Sequence, residues 1–195
     1  REVDIPGVVE APASHHMQTY GEDYSGACSG EIRVPQDDDA REAALTERKV
    51  IARRAAMELV PDAVVNLGVG VPETIPGVAN EGKISDEITQ TVKPGPIGES
   101  PSGGISFGAA INYEALVTSP EQFDFHDGGG LDNGYLGMSQ IDADGNLNVS
   151  RFDSQLPGCG GFINITQNAE KVVFCGTLAT GGLEVDVSHG TPDII

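Results

Sequence analysis

The residue with the most pointed chemistry is Lys93. It follows an alternating β-branched run, ITQTV (88–92), and opens a loop stiffened by Pro94 and Pro96. A strand here delivers the side chain to the carboxyl end of a sheet, where open α/β sheets bind their ligands. A lysine is ordinarily an ammonium with an unperturbed pKa of ~10.4 and no lone pair to attack with. As a cation it pairs with a phosphate or carboxylate. Deprotonated, it accepts an acyl group and ends as an amide that does not turn over. Around it lie the glycine clusters VKPGPIGESPSGG (92–104), DGGGLDNG (127–134), LPGCGGFINI (156–165) and ATGGLEV (179–185). Glycine beside a strand lets backbone N–H groups come close to a ligand and face negative charge. The clusters read as the walls of a cleft for an anion or a thioester. Taken alone, the segment around Lys93 reads more plainly as a rigid loop with an exposed lysine.

The elements that must hold these residues follow from periodicity. Thr46 is a suitable N-cap with Glu47 in the first turn. Ala52, Ala55, Ala56 and Leu59 then recur on one helical face until Pro61. A strand at 63–67 runs into Gly68-Val69-Gly70, and Pro72 can open a further short helix. That glycine pair suits a tight strand-to-helix turn as well as a ligand loop, since the full dinucleotide fingerprint is absent. Strands are expected at 88–92, at 135–141 and at 147–149, the last two joined through Asp144-Gly145. Asn148 sits just past that turn, where its amide either donates to an oxyanion or is satisfied within the turn. Lys171–Cys175 reads as a buried parallel strand leading to Gly181-Gly182. The order predicts an α/β fold, an open and mostly parallel sheet flanked by helices. The loops 93–104, 158–162 and 181–182 should converge at one edge of it.

Residues 1–31 are polar and turn-rich, EIRVP (31–35) suits a short strand, and QDDDAREA (36–43) reads as an acidic linker. The expected division is a tail of a preceding domain over 1–44 and a half-domain over 45–195. His15-His16 has no further ligand at metal-binding spacing and reads as surface histidine. Cys28, Cys159 and Cys175 are odd in number and form no C-x-x-C pair, as expected of reduced cytoplasmic thiols. With 11 Lys and Arg against 30 Asp and Glu, the net charge of −19 argues against nucleic acid and against an anionic membrane. No apolar run approaches the roughly twenty residues that span a bilayer.

The segments VNLGVGVP (65–72), KPGPIG (93–98), SGGISFGAAIN (102–112), FDFHDGGGLD (123–132), LGMSQIDADGNLNVS (136–150), LPGCGGFINI (156–165) and VVFCGT (172–177) resemble, in order and spacing, the C-terminal half of class I coenzyme A transferases. The acetate, propionate and 3-oxoacid branch is the closest in pattern. The resemblance implies transfer of CoA between a short-chain acyl-CoA and a free carboxylate, chemistry used in short-chain fatty acid and ketone body metabolism. A glutamate attacks the thioester, an acyl–glutamyl anhydride forms, and the released CoA thiolate converts it to a glutamyl-CoA thioester. CoA is then a substrate and a transient adduct, and no separate cofactor or metal is needed.

By the same resemblance Asn148, in the run Asn146-Leu147-Asn148, and Gly182 would face the oxyanion. Gly158, Gly160, Gly161, Phe162 and Gly181 would line the CoA site. A missing N-terminal half and a homo-oligomeric assembly are implied as well. The departure is at position 93, where the family pattern E-x-G-x-x-G places its nucleophilic glutamate and this chain has Lys93. The readings left open are an inactivated, CoA-binding or assembly protein, takeover by Glu99, and a sequence that departs from its gene at this codon. An acyl-CoA hydrolase would lack the same carboxylate.

Overall fold

A computed structural model describes residues 24–35, 44–98, 101–102, 106–177, 185–186, 188–191 and 193–194. The first helix, α1 (Glu47–Ala56), starts where expected: the Thr46 hydroxyl accepts from the Lys49 N–H at 3.2 Å. It ends a turn sooner than the apolar pattern predicts. A proline collides with the carbonyl four residues before it, so Pro61 already forbids helix at Met57. Replacing the cap, Thr46→Ala, should cost about 1 kcal/mol of stability, read as a lower denaturant midpoint.

Strand β1 (Val64–Leu67) leads into a 3₁₀ turn at Pro72–Thr74 and helix α2 (Ile75–Glu81). Next come β2 (Thr89–Thr91), β3 (Pro96–Ile97), β4 (Ala115–Leu116), helix α3 (Ser119–Asp127) and β5 (Asn133–Gly137). The chain closes with β6 (Gln140–Ile141), β7 (Leu147–Asn148), α4 (Phe162–Asn168), β8 (Lys171–Cys175), β9 (Val185–Asp186) and β10 (Asp193–Ile194). The main sheet has the order β4-β3-β2-β1-β5-β8. Its inner pairs β1–β2, β1–β5 and β5–β8 are parallel, and β3 and β4 form an antiparallel edge.

Period-two alternation buries both faces. Val65, Leu67, Tyr135, Val173 and Cys175 pack with Ala52, Ala55 and Ala56 of α1 and Ile75 of α2. Their neighbours Leu136, Val172 and Phe174 pack with Phe162 and Ile165 of α4 on the other side. The two layers of helix therefore sandwich the sheet. Glu58, just beyond α1, is tied at 2.6 Å to Lys171 of β8 and at 2.6 Å to Arg54. Those two cations hold its carboxyl down from the ordinary 4.5 to about 2. Because the folded value is depressed, this contribution is present above the unfolded pKa and fades as pH falls from 4.5 toward about 2. Glu58→Gln should flatten the acid limb of stability in that window and leave its shape above it unchanged.

Two local expectations are corrected. The strand foreseen at 135–141 is two strands: β5 begins earlier, at Asn133, and β6 belongs to a separate hairpin with β7. That hairpin turns at Asp142, whose carboxylate accepts from the Asp144 and Asn146 N–H groups at 3.0 and 2.8 Å. Residues 31–35 form no strand. There the Asn112 side chain takes the place of a strand partner, accepting from the Val34 N–H at 2.9 Å and donating to its carbonyl at 2.8 Å. The linker foreseen at 36–43 lies outside the described residues.

Candidate active site

The sheet runs outward from β1 in both directions, to β2 on one side and to β5 and β8 on the other. Such a reversal leaves a crevice beyond the carboxyl ends of the diverging strands. A cavity of about 570 Å³ sits there. It is lined by Gly68 to Val71 after β1, Lys93 after β2, Gly137 to Ser139 at the end of β5, and Cys175 to Thr177 at the end of β8. Gly158, Cys159 and Phe162 close it from the loop before α4. Of the expected site residues, Lys93, Gly158 and Phe162 thus share one cavity.

The Lys93 loop is held by close backbone packing. Gly95 has φ +131, and a Cβ placed on it would lie 1.9 Å from the Val117 carbonyl oxygen. Its N–H donates to the Val92 carbonyl at 3.0 Å and its carbonyl accepts from Val117 at 3.2 Å. Only a residue without a side chain fits there. Gly161 admits the lysine itself: a Cβ at that position would be 3.0 Å from Lys93 Cδ and 2.4 Å from the Phe123 ring. The loop at 158–161 and the lysine stem therefore pack together, leaving Lys93 half-buried. Burial pushes the Lys93 ammonium below its ordinary value.

Beneath the loop is a buried polar cluster that sequence reasoning did not find. The Thr91 hydroxyl donates to the Val65 carbonyl at 2.9 Å and lies 3.3 Å from His126 Nε2. Gln122 Nε2 is 2.9 Å from that same nitrogen, and both Gln122 and His126 are fully enclosed. Removal from water holds the imidazole below its ordinary pKa, with Asp127 acting weakly in the opposite direction. The i, i+4 spacing of Gln122 and His126 was a signal in the sequence, but only the fold sets it against the end of β2.

Asn148 is spent elsewhere. Its amide nitrogen donates to Gln140 Oε1 and the Arg151 carbonyl, both at 2.7 Å, and its oxygen accepts from the Ser150 and Arg151 N–H groups at 3.2 and 3.3 Å. These bonds tie Asn148 into the turn, and it is not among the residues lining the cavity. Gly160 faces open space with φ +52. Gly181, Gly182 and Glu99 lie outside the described residues.

Charge in the cavity opposes that of the protein. The chain as a whole carries −19, yet the lining includes Arg48 and Lys93 and, among the described residues, no Asp or Glu. A polyanion is thus repelled by the bulk surface but met by cations and glycine backbone at this one place. Among the described residues, no helix is long and apolar enough to cross a membrane.

The architecture is α/β, with a cavity beyond the carboxyl ends of its parallel strands. Relatives make that specific. The chain is 42% identical over 201 residues to the caffeate CoA-transferase of Acetobacterium woodii, covering 97% of this chain and 38% of that protein. It is 43% identical over 151 residues to the acetate CoA-transferase YdiF of Escherichia coli K12, covering 77% of this chain and 28% of that protein. A probable coenzyme A transferase subunit beta of Bacillus subtilis is 30% identical over 142 residues, 66% of this chain and 64% of that subunit. Among solved structures, the apoenzyme of YdiF from Escherichia coli O157:H7 superposes with TM-score 0.66 at 38% identity, over 86% of this chain and 30% of that one. The same protein in a thioester complex with CoA gives 0.65 at 38% identity, over 80% and 29%. No protein-family model matches the chain. The chain belongs to the class I coenzyme A transferases, and it spans 28% and 38% of the length of the YdiF and caffeate relatives.

Proposed function

We propose that this chain is the C-terminal half of a CoA-transferase that exchanges CoA between short-chain acyl-CoA and free carboxylic acids. The observation that carries the reading is the cavity at the carboxyl ends of β1, β5 and β8, with position 93 in its lining. Glycine backbone at 68–70 and 158–161 gives the thioester close approach, and Arg48 offers a cation to the CoA phosphates. Each backbone donor aimed at the developing oxyanion contributes about 3 kcal/mol to such a step. The thioester complex of YdiF supports a bound thioester in this fold.

The covalent route through glutamyl-CoA needs a carboxylate at 93, and this chain has Lys93. A second reading follows from that: a half-domain that holds CoA without turning it over. It is favoured by the absence of any Asp or Glu in the described cavity lining. In both readings the cavity is completed by the N-terminal half, in one polypeptide or a second subunit. The apolar, half-exposed Val69 and Ile141 at its wall suit that contact. The assembly is proposed to be a cytoplasmic homo-oligomer that needs no resident metal.

Equilibrium dialysis of the full-length protein against radiolabelled CoA tests the cleft. Saturable retention near one CoA per site, weakened by Gly161→Val, is the expected result. Retention that ignores a block at Gly161 would place CoA elsewhere.

A further inference from the structure

We infer that Lys93 is a self-acylation site, taking the acyl group of an acyl-CoA seated in the cleft and releasing CoA as the free thiol. The inference rests on the proposed reading that the cavity holds acyl-CoA. Its own grounds are geometric. Lys93 lines the cavity, and the 158–161 loop lies against its stem, with a Gly161 Cβ position 3.0 Å from Lys93 Cδ. No carboxylate among the described lining residues is there to hold the ammonium. Burial already disfavours the charged form, which enlarges the fraction with a usable lone pair.

The other lysines are placed differently. Lys49 is ion-paired with Glu81 at 2.8 Å and Lys171 with Glu58 at 2.6 Å, so each is already engaged with a carboxylate. Lys83 is exposed on the surface. The chain has no further lysine, so the amine best suited to attack is the one in the cleft.

The step balances without any oxidant or reductant. The Nζ lone pair attacks the thioester carbonyl carbon and a C–N bond forms. The tetrahedral intermediate then expels CoA by breaking C–S, and the proton lost from nitrogen ends on the thiolate. The product amide is far less reactive than the thioester, so the event occurs once per cleft. The titratable groups that share the lining are Arg48, Cys159 and Cys175. Of these, Cys159 is a half-buried thiol that competes for the same carbonyl. An adduct on Cys159 would be a thioester, cleaved by hydroxylamine, whereas one on Lys93 would resist it.

The test incubates the full-length protein with acetyl-CoA, divides it into samples with and without neutral hydroxylamine, and maps acetyl groups in both by peptide mass spectrometry. Released thiol is titrated, and CoA retention is measured in parallel on untreated protein. The expected result is one hydroxylamine-resistant acetyl on Lys93, formed ahead of Lys83 and faster as pH rises, with an equal amount of thiol released. Lys93→Arg should abolish the adduct and Lys83→Arg should leave it unchanged. CoA retention with no acetyl at Lys93, with equal acetyl on Lys83, or with a labile adduct on Cys159 overturns the inference and leaves the CoA cleft standing. No CoA retention overturns the cleft reading itself and the inference with it.

Discussion

Lys93→Glu, made in the full-length protein, is expected to create a covalent CoA adduct where the lysine form has none. The substitution restores a carboxylate at the one cavity position that follows β2, in a lining that contains no other among the described residues. Half-burial favours a reactive, poorly solvated carboxylate. Incubation with acyl-CoA should yield a species of the added CoA mass that borohydride reduces and hydroxylamine cleaves. Ping-pong transfer to acetate should rise by several powers of ten, since loss of a nucleophile is felt on the scale of about 10⁶ in kcat in a serine protease. Lys93→Gln, similar in length but not nucleophilic, should give neither. Ping-pong transfer by the lysine form would overturn this account and bring Glu99 forward. A glutamate variant that retains CoA yet forms no adduct would show that position 93 is not the attacking site.

Gly95→Ala is expected to be the most destabilising single methyl in the site. The residue holds φ +131, and the added Cβ would lie 1.9 Å from the Val117 carbonyl oxygen, which belongs to backbone and cannot rotate away. Backbone strain of this kind costs about 1–3 kcal/mol before any clash is counted. The loop must then part from Val117, breaking the 3.2 Å hydrogen bond there and loosening the sheet edge. A loss of about 3 kcal/mol or more, read from denaturant midpoints, is the expected size. CoA retention should fall with it, because the same loop carries Lys93. Gly158→Ala provides the contrast: it has φ +80 but open space around it, so only the left-handed penalty of roughly 1–2 kcal/mol applies. Equal effects from the two substitutions would mean that the Val117 contact is not what holds the loop.

What the amino-acid sequence determined by itself is local and periodic. Thr46 capped its helix, Val64–Leu67 and Lys171–Cys175 formed strands (the second half-buried at the sheet edge, not buried as expected), Pro72 opened a helical turn, and Asp144-Gly145 turned a hairpin. Those outcomes depend on side-chain sterics and hydrogen bonds within a few residues, which the sequence displays directly. The ordered glycine motifs also carried the family, and with it the α/β class. The exact span of α1 was misjudged because the proline's collision acts four residues upstream, before the apolar pattern ends. The start of β5 was missed because Asn133 and Gly134 have low strand propensity, and their pairing with Val65 and Asn66 decides the matter.

The site needed the tertiary structure. Only the strand order opens the crevice between β1 and β5, and only there do Gly68, Met138 and Cys159 meet Lys93. Asn148 suited a turn at least as well as an oxyanion contact, and only the structure shows its hydrogen bonds to Gln140 and Arg151. The enclosure of His126 against Thr91 depends on a helix crossing the sheet, a contact between residues 35 apart in the chain. Burial, local charge and amine reactivity at Lys93 are likewise sums over distant neighbours. Sequence specifies those neighbours only through the fold, so the fold is where the chemistry of position 93 is decided.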